Sequence, residues 1–196
     1  MSTLKVDTIL KRTGTGTITV GQSGDTISVP SGATLSVAGS ASGLPDNTPA
    51  FEAFLSSDMN SLSNNTFTKI TFDTESFDSD GTYDTSNNRF TPGVAGKYYV
   101  YGRVIFNDTN VSEETYHISI RKNGSQISEF FTKSSAESST GHDDPMLTYV
   151  EVVDLDADDY VEIFGKIANS NGSRGIHGSS ATNKFTTFGA FKVIGA

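Results

Sequence analysis

The residues able to act as ligands or catalysts are scattered along the chain. His117, His142 and His177 are its three histidines, and none sits in a His-x-x-x-His or Glu-flanked pattern that would bring two imidazoles to one metal ion. His142-Asp143-Asp144 reads as a solvated loop, since charged runs between strands face water. Asp154, Asp156, Asp158 and Asp159 carry enough oxygen to attract calcium. They lack the glycine and terminal glutamate of an EF-hand loop, and a strand-to-strand corner explains the run as well. Asp78, Asp80 and Asp84 are open to the same two readings. There is no Gly-x-Ser-x-Gly elbow and no glycine loop for phosphate. A Ser-His-Asp triad or a glycosidic carboxylate pair is defined by distances, which a sequence does not carry. The expectation is a protein that is not an enzyme, with no catalytic residue, metal or cofactor. A glycan depolymerase is the enzymatic alternative, and the short chain argues against the long groove it would need.

Composition narrows the class further. The chain has 196 residues, a formal charge of −9 and no cysteine. The absence of cysteine removes disulfides and thiolate chemistry together. The acidic balance argues against nucleic acid, which needs clustered Lys and Arg. No stretch approaches the ~20 apolar residues of a membrane helix, so no membrane insertion is expected. Met1-Ser2-Thr3-Leu4-Lys5-Val6-Asp7 has no signal-peptide run.

The elements that must position any site fall into two parts. A Gly, Pro, Asp and Asn cluster at residues 41–48 marks a break in the chain, with residues 44–48 as the linker. Residues 1–43 precede it and residues 49–196 follow, and all 13 Phe and 7 Tyr lie in the latter. Within residues 1–43, Thr17-Ile18-Thr19-Val20, Thr26-Ile27-Ser28-Val29 and Thr34-Leu35-Ser36-Val37 repeat one apolar/hydroxyl alternation between glycines, which predicts short strands. About two apolar side chains per repeat, at ~1.5–3 kcal/mol each, do not offset roughly 1–2 kcal/mol of backbone entropy per ordered residue. Such a segment needs copies of itself or a docking partner; the alternative is a Gly/Ser/Thr linker.

From Pro49 the pattern is all-β. Strands are predicted at Ala50–Leu55, Thr66–Phe72, Arg89–Thr91, Lys97–Phe106, Tyr116–Lys122, Gln126–Phe131, Met146–Val153, Tyr160–Lys166 and Lys184–Val193, which suits a sandwich or jelly roll. In "KYYVYGRVIF", alternation sends Tyr98, Val100, Val104 and Phe106 to one face and Tyr99, Tyr101 and Ile105 to the other. A strand apolar on both sides has two things to bury against: a core, and either a partner subunit or its own loops.

"PAFEAFL", "ITFDTESFDSDGTYD", "NNRFTPGVAGKYYVYGRV", "ISIRKNG", "VDLDADDYVEI" and "FGAFKV" occur in the order found in complement C1q and tumour-necrosis-factor-like domains, and residues 49–196 resemble that family. Asp158 replaces the glycine usual in the Leu-x-x-Gly-Asp turn. The resemblance implies a ten-stranded jelly roll and a homotrimer, with Tyr99 and Tyr101 facing the threefold axis and Arg103 beside them. The first residues, "STLKVDTI" followed by the repeat, are similar to N-termini of virion structural proteins of tailed bacteriophages, especially of cyanophages. The second resemblance implies assembly in the host cytoplasm and a virion location on the particle exterior. Residues 1–43 would then contact other virion proteins as an anchor or short shaft, and the head would be a fibre-type module for a host glycan or protein, or alternatively a capsid decoration. Polar loops 107–115, 134–144 and 169–183, with Asn107, Asn110, His142, Asn171, Arg174 and His177, are the candidate host contacts.

Overall fold

The computed structural model describes Ile9 and residues 17–37, 47–108, 114–134, 144–168 and 174–194. The chain divides into two units, Met1–Leu44 and Pro45–Ala196.

In the first unit the predicted strands do not form: residues 17–37 contain turns and no strand. The Gln22 N–H donates to Asp25 Oδ2 at 2.7 Å, and the Asp25 N–H returns to the Gln22 carbonyl at 3.0 Å. Pro30 and Ala33 close a second turn at 3.0 Å. Gly24 and Gly32 take φ of +93° and +84° within these turns, which glycine adopts without steric cost. Ile18, Val20, Ile27, Val29, Leu35 and Val37 are all exposed, Ile27 to 67% and Leu35 to 69%. A single copy has the turns of a β-repeat and nothing for its strands to pair with.

The second unit is all-β, as expected, with no helix among the described residues. Its strands are β1 (Ala50–Phe54), β2 (Met59–Asn60), β3 (Thr68–Lys69), β4 (Thr74–Asp78), β5 (Tyr83–Asp84), β6 (Arg89–Phe90), β7 (Gly96–Asp108), β8 (Glu114–Lys122), β9 (Ser125–Ser134), β10 (Met146–Leu155), β11 (Val161–Ala168), β12 (Arg174–Ile176) and β13 (Thr187–Lys192). One sheet runs β2-β12-β7-β13-β1-β4, with β10 also paired to β7; the other runs β5-β6-β11-β8-β9, with β3 also paired to β11. The long predicted strands are present. Of predicted Thr66–Phe72 only β3 is a strand, although Ile70 and Phe72 are fully buried. Strands β2, β4, β5 and β12 escaped sequence reading because they are polar or only two or three residues long.

Strand β7 shows the predicted alternation. Tyr98, Val100, Val104 and Phe106 are fully buried, while Tyr99, Tyr101 and Ile105 are half-exposed on the opposite face. The core gathers one aromatic from each of four distant stretches. Phe51 stacks on Tyr83 and on Phe90 with ring centres 4.8 Å away in both cases, and meets Phe188 edge-on at 4.9 Å. Aromatic pairs of this kind add about 0.5–1.5 kcal/mol beyond the area they bury. The Tyr83 hydroxyl donates to the Phe72 carbonyl at 2.9 Å, so its polar end is satisfied inside the core.

Candidate functional site

The outward face of the β7 sheet is built from three adjacent strands in register. Tyr99 pairs with Val152 on β10 and Phe191 on β13; Tyr101 pairs with Val150 and Gly189. Period-two alternation puts all of these on one surface. Tyr99 stacks on Phe191 at 5.2 Å, and Tyr101 lies 6.2 Å from both rings. Gly189 makes this possible: a Cβ there would stand 2.5 Å from the Tyr101 ring. The Tyr101 ring therefore lies across β13 where any larger residue would displace it.

A concavity of about 410 Å³ opens beside these rings, lined by Glu52, Tyr99, Tyr101, Arg103, Val150 and Lys184 among others. Glu52 stands next to Gly189 in the ladder and is paired with Lys184 at 3.0 Å. Burial, and then the Glu52 carboxylate, hold the Tyr101 phenol above its ordinary range, so it is neutral and a hydrogen-bond donor at pH 7. Under this layer, burial raises the Tyr149 phenol well above normal; its hydroxyl donates to the Thr187 carbonyl at 3.1 Å. Arg103 is exposed, and its guanidinium donates to the carbonyls of Phe185, at 3.1 Å, and of Lys184. It thereby clamps the segment leading into β13.

Strand residues run into each of the predicted contact loops. Asn107 is not in a loop: it ends β7, pairs with Gly175 of β12 and is half-buried. Arg174 likewise opens β12, opposite Asp108. The Asn, Ser and Gly composition reads as loop, yet the backbone at the end of β7 finds its ladder partner there, and ladder bonds do not depend on side-chain type. His177 follows β12 with its N–H on the Ile105 carbonyl at 2.8 Å. Its ring nitrogens lie 3.4 Å from Asp58 and 3.3 Å from Asp144. Asn110, His142 and Asn171 lie outside the described residues.

The two acidic runs build turns. Asp159 receives Lys122 at 2.6 Å, the Asn123 amide at 2.6 Å and the Asp156 N–H at 2.8 Å. Led by the Lys122 hydrogen bond, these contacts hold its pKa down to about 2. Asp78 accepts from the Tyr83 N–H at 2.8 Å and from Thr82 at 3.1 Å. Asp84 accepts from Asn87 and Ser86, which keep its carboxyl below the usual range. Among the described residues, no group of three or more His, Asp or Glu is arranged to hold a metal ion.

The sequence reading of the tyrosine face missed Phe191, Val150, Val152 and Gly189. Alternation about the buried Phe188 and Ala190 puts Gly189 and Phe191 outward, but only pairing with β7 brings them to the tyrosines.

An antiparallel two-sheet jelly roll with aromatic residues on the outward face of β7 defines a class of β-sandwich domains. The chain belongs to the C1q domain family, whose sequence model matches residues 50–191. Trimeric association is typical of that family, whose members are typically binding modules rather than enzymes. Among solved structures it is similar to the Eiger TNF of S. frugiperda, at 11% identity over 77% of this chain and 96% of that one, with a TM-score of 0.53. The globular domain of zebrafish complement 1qA is 15% identical over 74% and 98% of the respective chains, with a TM-score of 0.44. No curated protein matches the sequence.

Proposed function

We propose that this protein is a trimeric structural component of a tailed-phage virion, fixed to the particle through residues 1–43 and presenting its C1q head outward to a host surface. The observation that carries the reading is the pairing of two incomplete surfaces in one chain. The tyrosine face of the head leaves Val150 and Val152 exposed and Tyr99 and Phe191 half-exposed on a lone protomer, and the repeat leaves every apolar side chain of residues 17–37 exposed. Three copies in register satisfy both, since each repeat then has neighbours to pair with and each tyrosine face a partner. The resemblance of the first residues to phage virion N-termini supports the location. In this reading the polar stretches 107–115, 134–144 and 169–183, Arg174 and His177 among them, provide the host contacts.

Gold-labelled antibody against the chain, applied to intact particles of a phage that encodes it, tests this directly. Label at the tail marks a fibre; label on the capsid marks a decoration protein and removes the host-attachment role. Particles free of label overturn the virion assignment.

A further inference from the structure

The opposite face of the sandwich, formed by β3, β8, β9 and β11, carries an arrangement that the tyrosine face does not. Its outward rows place Phe131 beside His117 and His117 beside Lys166, and Glu129 beside Ser119 and Ser119 beside Phe164. Phe131 is 70% exposed, with one ring face stacked on the His117 imidazole at 5.7 Å and 24°. Arg121 lies 4.0 Å over the Phe164 ring and 5.5 Å from that of Phe67, whose ring also carries Lys166 at 4.6 Å.

The charges here are unevenly matched. Glu162 faces Arg121 across the ladder, yet Lys69 takes it at 2.5 Å. Glu129 holds His117 at 2.7 Å and accepts from the Gln126 amide at 3.0 Å, with Lys166 at 3.9 Å. That leaves Arg121 with no carboxylate or hydrogen-bond acceptor among the described residues, and its Nε is buried and unpaired. A guanidinium held over an aromatic ring has its planar fork restrained, which suits bidentate capture of a carboxylate or sulfate. The chain as a whole, at −9, repels polyanions, so capture here depends on local contacts and not on a general field.

We propose that this face binds an acidic polysaccharide, with Arg121 taking a carboxylate or sulfate and the open side of Phe131 stacking on a sugar ring. His117 and Arg121 stand four residues apart on β8, about 13 Å along an extended strand. The span is wider than one pyranose, so the ligand is an oligosaccharide or longer. Between the two anchors, Glu129 offers an acceptor for ring hydroxyls, with Gln126 beside Arg121 holding it in place. The face lies on the sheet opposite the tyrosines, so trimerisation through Tyr99 and Tyr101 leaves it accessible. The proposal deepens the surface-binding reading without depending on a virion location, because a purified polysaccharide tests one and particle labelling the other.

The experiment is calorimetric titration of the full chain with polygalacturonate and dextran sulfate at 0.15 M salt, with neutral dextran and polyacrylate as controls. Single-stranded DNA is titrated alongside as a further polyanion. Expected are binding to one or both acidic polysaccharides, none to dextran, weaker binding of the DNA, a loss of about 10-fold or more in Arg121→Gln and of about 3-fold or more in Phe131→Ala. Phe131 is exposed, so its variant folds and keeps the test valid even if Arg121→Gln is unstable. Wild-type affinity in Phe131→Ala, equal affinity for polyacrylate, tighter binding of single-stranded DNA, or no binding to either acidic polysaccharide overturns the assignment.

Discussion

The repeat and the head are written in the same alphabet of short alternating stretches and glycine turns, yet a single copy folds only the second. In the head, Phe51, Phe90 and Phe188 are fully buried because two sheets bring four separated segments onto one another. In the repeat, Ile27 and Leu35 sit at equivalent points of successive units and are largely exposed. The difference is dimensional: alternation supplies one apolar face per strand, and a face is worth burying only when a second layer exists. The head encodes both layers in one chain, whereas the repeat encodes one.

The largest effect that separates the two regions comes from truncating the aromatic centre. Phe51→Ala should lower head stability by about 3–5 kcal/mol in chemical denaturation, whereas Ile27→Ala should change it by no more than ~0.5 kcal/mol. Comparable losses from both would mean that the repeat is folded and packed and contributes to the measured stability as the head does. Next in size is the tyrosine face. Tyr101→Asp buries an unpaired charge, in a trimer, beside Glu52, at a cost of roughly 3 kcal/mol or more per contact. Sedimentation should then report 20.9 kDa protomers where the unchanged chain gives trimers. A variant that remains trimeric would move the axis off this face. The smallest effect sharpens the account of the acidic corner. The pKa of Asp159 is held to about 2 against an ordinary 3.8, so its stabilising contribution is complete above 3.8 and fades as pH falls towards 2. The melting temperature of the wild type should exceed that of Asp159→Asn at neutral pH, and the gap should narrow across that window. A constant gap would show that the Lys122 contact does not control this carboxylate.

Much of the head was legible because its signals are local. The two faces of β7 follow from alternation alone, and the ordered motifs Ala50-Phe51, Thr82-Tyr83-Asp84, Arg89-Phe90 and Phe188-Gly189 identified the family before any contact was known. What stayed hidden depends on pairing. Asn107 and Arg174 looked like loop residues because side-chain composition says nothing about which backbone groups find each other. The role of Gly189 under Tyr101 was equally silent, since a glycine is read as a turn until a ring is seen lying across it.

The sequence by itself determined an all-β chain without thiol chemistry, a head rich in aromatics, a tyrosine strand with two apolar faces, and a repeat too poor in apolar residues to fold singly. These follow from composition and from a period of two, which are properties of neighbours along the chain. Only the tertiary structure decided that Phe191, Val150 and Val152 complete the tyrosine face, that Lys69 takes the carboxylate facing Arg121, and that Asp159 is a latch for Lys122. Each joins groups from separate strands, and strand register and sheet order, which no local pattern specifies, bring them within reach.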